Sequence, residues 1–202
     1  MPEWKVSDFS RVLGGVSLHE GIRLGDYASE VPSNRVIVEV GANTGVSTGF
    51  LAMGAKKGHG AHVYTVDLWD CDSGTRPDRH TVSEAHQLFR AQMAYLVATG
   101  HIGADSVCEL QGESSAVAAQ WRGLPIGLLH LDGDHSYEGC RADLEAWTPY
   151  VAKGGVVIVH DWAIKNVRRA VKEWMSADWK RIGIYRWAEY PKSRGQWIAR
   201  RR

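Results

Sequence analysis

Residues 36–48, Val-Ile-Val-Glu-Val-Gly-Ala-Asn-Thr-Gly-Val-Ser-Thr, constrain the fold more than any other stretch of this chain. An apolar run of strand length, broken only by Glu39, ends in a glycine turn, and a helical pattern follows at once. A buried parallel strand that feeds a nucleotide-type cofactor site has this form. The turn, Gly41-Ala42-Asn43-Thr44-Gly45, lacks the middle glycine that lets backbone touch a pyrophosphate. That points away from a dinucleotide and towards a smaller adenosine ligand without phosphates.

Further apolar runs alternate with helical patterns along the chain. Strands are expected at Val36–Val40, His62–Val66, Val107–Gln111, Ile126–Leu131 and Val156–Val159, the last after a turn at Lys153-Gly154-Gly155. Residues 7–30 read as one or two short helices with Leu18, Ile22, Leu24 and Tyr27 as apolar contacts. A helix over Thr44–Lys57 carries small residues suited to close packing on a sheet. Thr81-x-x-Glu84 is a capping box for a helix whose face is Phe89, Met93, Leu96 and Val97. A short helix is expected at Ser115–Trp121. Ser136 caps the next, whose face is Cys140, Leu144, Trp147 and Val151, and Ile164–Met175 forms a basic amphipathic one. Lys180–Trp187 and Gln196–Ala199 read as an antiparallel hairpin around Pro191–Gly195. The pattern predicts an α/β fold: a doubly wound, mostly parallel sheet covered on both faces, with a C-terminal antiparallel hairpin. A chain of 202 residues fits one domain. It divides into a helical segment (1–33), a core (34–175) and the hairpin (176–202).

Formal net charge is +1, which gives no field to steer the chain to nucleic acid or a membrane, and no apolar run is long enough to span a bilayer. Neither is expected as a partner. The terminal Arg200-Arg201-Arg202 reads as a solvated tail. Cys71, Cys108 and Cys140 have no metal-ligand spacing, so free thiols in a reducing compartment are expected, and with no targeting pattern a soluble, cytoplasmic location. The nine tryptophans suit core and cleft walls.

In an open α/β sheet, ligands bind beyond the C-terminal ends of the strands. Asp67 closes the second strand, where a carboxylate accepts from ribose hydroxyls. Ser47 lies in a first helical turn, where free backbone N–H groups attract a ligand carboxylate. Glu39 either accepts from a ligand ammonium or is a buried structural carboxylate. Asp132, His160 and Asp161, at two neighbouring strand ends, converge on one divalent cation or else pair with each other without one. His135, three residues after Asp132, would stand at the rim, free to accept a proton.

These residues resemble a known family. The chain is similar, over roughly residues 15–175, to class I S-adenosylmethionine-dependent methyltransferases. More narrowly, it resembles the metal-dependent small-molecule O-methyltransferases of the catechol and macrolide-sugar type. The resemblance rests on Val-Glu-Val-Gly-Ala-Asn-Thr-Gly-Val-Ser-Thr, on Val-Tyr-Thr-Val-Asp67, on Leu-His-Leu-Asp-Gly-Asp-His-Ser-Tyr-Glu-Gly and on Gly-Gly-Val-Val-Ile-Val-His-Asp-Trp, in that order. It implies that Glu39, Gly41 and Ser47 hold the methionine part of the cofactor, that Asp67 holds the ribose, and that Gly112, Glu113 and Ser114 border the adenine. It implies Asp132 and Asp161 as metal ligands and His135 as the general base. His160 stands where relatives carry Asp or Glu. An imidazole there softens the site away from magnesium, towards manganese, iron or zinc.

The reaction expected from this resemblance is transfer of a methyl group to a hydroxyl of a small molecule, with vicinal oxygens the best chelators. Trp69 and Trp162 are candidates to stack on the acceptor, or core residues. The loop Asp70–His80 is a candidate for acceptor selection, and the hairpin and N-terminal helices are candidate surfaces for a homodimer. Three other readings compete: a metal-independent methyltransferase, a nicotinamide-dependent dehydrogenase, and a non-catalytic cofactor- or nucleic-acid-binding module.

Overall fold

The structure, a computed structural model, describes residues 16–69, 82–185 and 195–202. The helix expected from residue 7, the loop Asp70–His80, Thr81 of the capping box and most of the hairpin tip lie outside these. In chain order the elements are α1 (Leu18–Ser29), β1 (Val36–Val40), α2 (Val46–Lys57), β2 (Val63–Asp67), α3 (Val82–Ala98), β3 (Val107–Gln111), α4 (Ser114–Ala119), β4 (Ile126–Leu131), α5 (Tyr137–Trp147), β5 (Val151–Val159), α6 (Lys165–Trp174), β6 (Trp179–Tyr185) and β7 (Gln196–Arg201).

The strands form one sheet in the order β3-β2-β1-β4-β5-β7-β6. β3, β2, β1, β4 and β5 pair in parallel, and β7 is antiparallel to both β5 and β6. This is the doubly wound sheet with an antiparallel C-terminal pair that the sequence predicts. Strand side chains alternate between two cores. Ile37, Val63, Leu128 and Ile158 join α1, α2 and α3 on one face. Val38, Leu129, Leu131 and Val157 join α4, α5 and α6 on the other. Among the described residues, no helix is long and apolar enough to cross a membrane.

Several local expectations are corrected. Lys153-Gly154-Gly155 does not precede β5 but bulges within it: Val151 pairs with Ile126, Val156 with Leu128, and Gly154 takes φ +77°. The small residues of α2 serve its contact with α1, since a Cβ on Gly54 would lie 2.1 Å from the carbonyl oxygen of Gly25. Arg200 and Arg201 are not a loose tail. Both lie in β7, where Arg201 Nη1 donates to the carbonyls of Pro149 and Val151 and Arg200 Nη1 to that of Gly154. Cys108 and Cys140 are free thiols.

Candidate functional site

Strand register assembles the site. Thr65 of β2, Glu39 of β1, His130 of β4 and Ile158 of β5 are cross-strand neighbours on one face. Side chains two residues further along a strand return to the same face. That next row is Asp67, Gly41, Asp132 and His160, at the C-terminal edge. Backbone bonds carry the ladder into it, from Gly41 N–H to Val66 O (2.8 Å), Asp132 N–H to Val40 O (2.9 Å) and His160 N–H to Leu131 O (2.9 Å). Gly41 has φ +89°, and a Cβ there would lie 2.2 Å from the carbonyl oxygen of Asp132. Glycine is what lets the ends of β1 and β4 close on each other.

The first row is buried within the protein, with Nε2 of His130 left without a partner among the described residues. Glu39 is fully buried. Its Oε2 accepts from Thr48 Oγ1 (2.5 Å) and Thr65 Oγ1 (2.9 Å), and its Oε1 meets Nδ1 of His130 at 3.3 Å. The carboxylate thus ties β1, β2, β4 and α2 together behind the glycine turn.

Asp67, 6% exposed, bridges two loops. Its Oδ2 accepts from Asn43 N–H (2.8 Å) and its Oδ1 from Trp69 N–H (3.2 Å). Asn43 and Trp69 both hold left-handed backbone, φ +48° and +42°, and Trp69 Nε1 donates to Asn43 O (3.0 Å). Ser47 is buried in the first turn of α2, whose N-cap, Gly45, provides no side-chain cap. An uncapped N-terminus beside a glycine turn is suited to an anionic ligand group. Glu113 is engaged as the N-cap of α4, accepting from the N–H groups of Ser115 (3.1 Å) and Ala116 (2.8 Å). Ser114 follows it and accepts from Trp147 Nε1 (2.9 Å), and Gly112 N–H extends the β2–β3 ladder to Asp67 O (3.0 Å). Trp69 and Trp162 are core residues: Trp69 stacks on His86 with ring centres 4.3 Å apart, Trp162 lies against Trp197, and neither offers an open face.

Across the edge lies a cluster of charges. One ligand atom each of Asp132, His135 and Asp161 falls within 4.8 Å of the others. His135 Nε2 is 3.4 Å from Asp132 Oδ1 and 3.0 Å from Asp161 Oδ2. His160 Nδ1 is 3.1 Å from Asp132 Oδ1 and 3.6 Å from Asp161 Oδ2. Carboxylates and imidazoles therefore alternate. His160 is buried, whereas the side chain of His135 is 43% exposed. Asp161 holds φ +52°, a strained conformation for a residue with a side chain, and it aims its carboxylate at His135.

Charge sets the ionisation here. The carboxylates of Asp132 and Asp161 lift His135 to about 10. Burial opposes charge on His160, but Asp132, Asp161 and Glu20 together raise it well above its ordinary value. Burial likewise opposes ionisation of Asp132 and Asp161, and the two histidines outweigh it, holding both carboxyls far below the usual range. The donor set fits a divalent cation. Oxygens of Asp132 and Asp161 converge with Nε2 of His135, and among the described residues neither nitrogen of buried His160 has a partner in hydrogen-bond geometry. An orphaned buried polar group of that kind calls for a ligand or a water.

The sequence reading missed Glu20, buried on α1 with Oε1 3.5 Å from His160 Nε2. The pattern Ser17-x-x-Glu20, a capping box in the structure, was the available signal for the helix start but not for the contact. It also missed Asn43, whose N–H reaches Asp67, and His130, which closes the Glu39 cluster.

A sheet of this order, with a glycine turn, a strand-end acid and an acidic edge, defines a class I methyltransferase architecture. A family model described as a methyltransferase domain matches residues 38–162. Among solved structures, the cofactor-bound Rv0187 from MTB aligns with TM-score 0.71 at 20% identity, over 95% of this chain and 83% of that one. The O-methyltransferase from Bacillus cereus in complex with SAH aligns with TM-score 0.66 at 17% identity, over 91% and 80%. CalS11, a TDP-rhamnose 3'-O-methyltransferase of calicheamicin biosynthesis, aligns with TM-score 0.61 at 18% identity, over 91% and 77%. The chain belongs to the class I S-adenosylmethionine-dependent methyltransferases.

Proposed function

We propose that this protein methylates a hydroxyl of a small molecule that offers vicinal oxygens, such as a sugar or a catechol, with the aid of a divalent cation and with His135 as general base. The observation that carries the proposal is the meeting of Asp132 Oδ1 and Asp161 Oδ2 with two imidazole nitrogens, buried His160 Nδ1 and exposed His135 Nε2, at the strand edge that also bears Gly41 and Asp67. A sugar hydroxyl as acceptor is supported by the likeness to CalS11.

Each side chain then has a task. Asp67 receives the ribose hydroxyls at the end of β2. The α2 N-terminus with Ser47 receives the methionine carboxylate, and Gly112, Glu113 and Ser114 border the adenine. The sulfonium is already activated, so the protein's part is to align oxygen, methyl carbon and sulfur, an effect worth up to ~7–11 kcal/mol. Bound by Asp132 and Asp161, a divalent cation would supply a Lewis acid that lowers the pKa of the acceptor hydroxyl. His135 is the exposed member of the cluster and the one able to meet that hydroxyl. Both neighbouring carboxylates favour its protonated form, so it accepts a proton near neutrality only when their charge is balanced. The imidazoles favour manganese, iron or zinc over magnesium.

The test is transfer of a labelled methyl group from S-adenosylmethionine to a panel of vicinal diols and catechols, before and after EDTA and with manganese restored. Chelation should abolish turnover and manganese restore it. His135→Gln should lower kcat about 10²- to 10⁴-fold. Full activity after exhaustive EDTA would refute the cation, and an unchanged kcat–pH profile in His135→Gln would remove that residue from the chemistry.

A further inference from the structure

Glu20 is a buried carboxylate that the mechanism above leaves unused. It sits on α1, 2% exposed, and its two oxygens have different neighbours. Oε2 accepts from the N–H (3.0 Å) and the hydroxyl (2.7 Å) of Ser17. Oε1 accepts from Gly195 N–H (3.1 Å) and faces His160 Nε2 at 3.5 Å. Helix capping occupies Oε2 alone, and glutamine serves a capping box as well as glutamate does. The second oxygen, turned away from the cap, accepts from Gly195 N–H and faces the imidazole.

On the other side of that ring, Nδ1 points at Asp132 Oδ1 (3.1 Å) and Asp161 Oδ2 (3.6 Å). The ring is buried with a carboxylate behind it and two in front, and among the described residues neither nitrogen has a directional hydrogen bond. Gly195 is itself tied to the centre, since its carbonyl accepts from Trp162 N–H (3.0 Å) two residues beyond His160. We propose that Glu20 is a positioning residue of the cation centre, holding His160 by Nε2 so that Nδ1 is presented between Asp132 and Asp161 as a ligand atom. This rests on reading the cluster as a cation site. A carboxylate behind a ligating imidazole fixes its tautomer and orientation and strengthens it as a donor.

The test is Glu20→Gln, which keeps the capping residue type. Manganese affinity is read from the electron paramagnetic resonance of the free ion, and S-adenosylhomocysteine affinity by calorimetry on the same samples. The manganese Kd should rise about 10- to 100-fold in the variant, with the Kd for S-adenosylhomocysteine within twofold of wild type. Equal manganese affinity in both proteins overturns the role of Glu20 and leaves the methyltransferase reading intact. A wild-type protein that binds S-adenosylhomocysteine but no manganese overturns both the cation centre and Glu20's part in it. Should the variant fail to fold, nitrogen-15 NMR of the zinc-loaded wild-type protein decides. His160 protonated at Nε2, with Nδ1 shifted by the metal, is the expected signature, and a proton on Nδ1 overturns the proposal.

Discussion

Asp67→Asn replaces one carboxylate oxygen by an amide NH2 with almost no change of shape. In the wild-type protein the two oxygens face two backbone donors, Asn43 N–H at 2.8 Å and Trp69 N–H at 3.2 Å. Either orientation of the new amide therefore sets an N–H against an N–H. One of two residues held in left-handed backbone loses its acceptor inside the protein. An unsatisfied buried donor costs about 1–3 kcal/mol. At about 2–4 °C per kcal/mol for a domain of this size, the cofactor-free variant should melt about 2–12 °C below wild type. Cofactor binding should suffer separately. Losing a charged acceptor for a ribose hydroxyl removes about 1.5–3 kcal/mol per bond, so S-adenosylhomocysteine should bind roughly 10- to 150-fold more weakly by calorimetry. A variant that melts within 1 °C of wild type refutes the donor–donor argument. One that is destabilised yet binds S-adenosylhomocysteine within twofold refutes the ribose role of Asp67.

Gly41→Ala forces a side chain onto φ +89° and places its Cβ 2.2 Å from the Asp132 carbonyl, which cannot rotate away. Left-handed strain of about 1–2 kcal/mol and overpacking of about 1–3 kcal/mol should together lower the melting temperature by about 4–20 °C, and a drop under 2 °C in scanning calorimetry contradicts the close approach. Asp143, 7% exposed on α5, is pushed up to about 6 by burial, partly offset by a hydrogen bond from Ser114. Its folded-state value lies above its ordinary one, so the protein is most stable where this carboxyl is protonated in both states and loses stability as pH rises from about 4 through about 6. Asp143→Asn should thus stabilise by on the order of 3 kcal/mol at pH 7.5 and by almost nothing at pH 4, and equal shifts at the two pH values would defeat the argument.

How far the sequence carried the fold and the site follows from which interactions are periodic along the chain. Val36–Val40 and Ile126–Leu131 were legible because a strand buried on a sheet leaves a nearly continuous apolar record, and each begins and ends where the sequence places it, as does the partly exposed edge strand Val107–Gln111. Asp67, Asp132 and His160 were legible as one edge because strand ends of a parallel sheet share a side. Their order along the chain therefore implies their meeting. The bulge at residues 152–155 was not legible, since Gly154-Gly155 satisfies a turn and a bulge equally well in a local window. Arg201 was misjudged for a similar reason: three basic residues look solvated until the carbonyls of Pro149 and Val151 are known to face them. Glu20 was hidden because its partner lies on a distant strand, and the capping pattern it satisfies accounts for the residue type by itself.

The two histidines change what an acidic strand edge can do. Glu20, Asp132 and Asp161 bring three negative charges into a half-buried space, and protonated His135 and His160 return two positive ones. The cluster is close to neutral by itself, so the chain can fold around it without a cation, which three buried carboxylates alone would oppose. The same protons must leave before either imidazole acts as a ligand or a base, so cation binding at this edge would be coupled to proton release and would strengthen with rising pH. Stability of the cation-free protein runs the other way. His135 is lifted to about 10, so its ion pairs contribute fully below its ordinary 6.5 and are lost as pH climbs through about 10. Proton and cation thus compete for one set of atoms. A carboxylate at position 160 would bring no proton to that competition, and this is the physical consequence of the imidazole that this chain carries there.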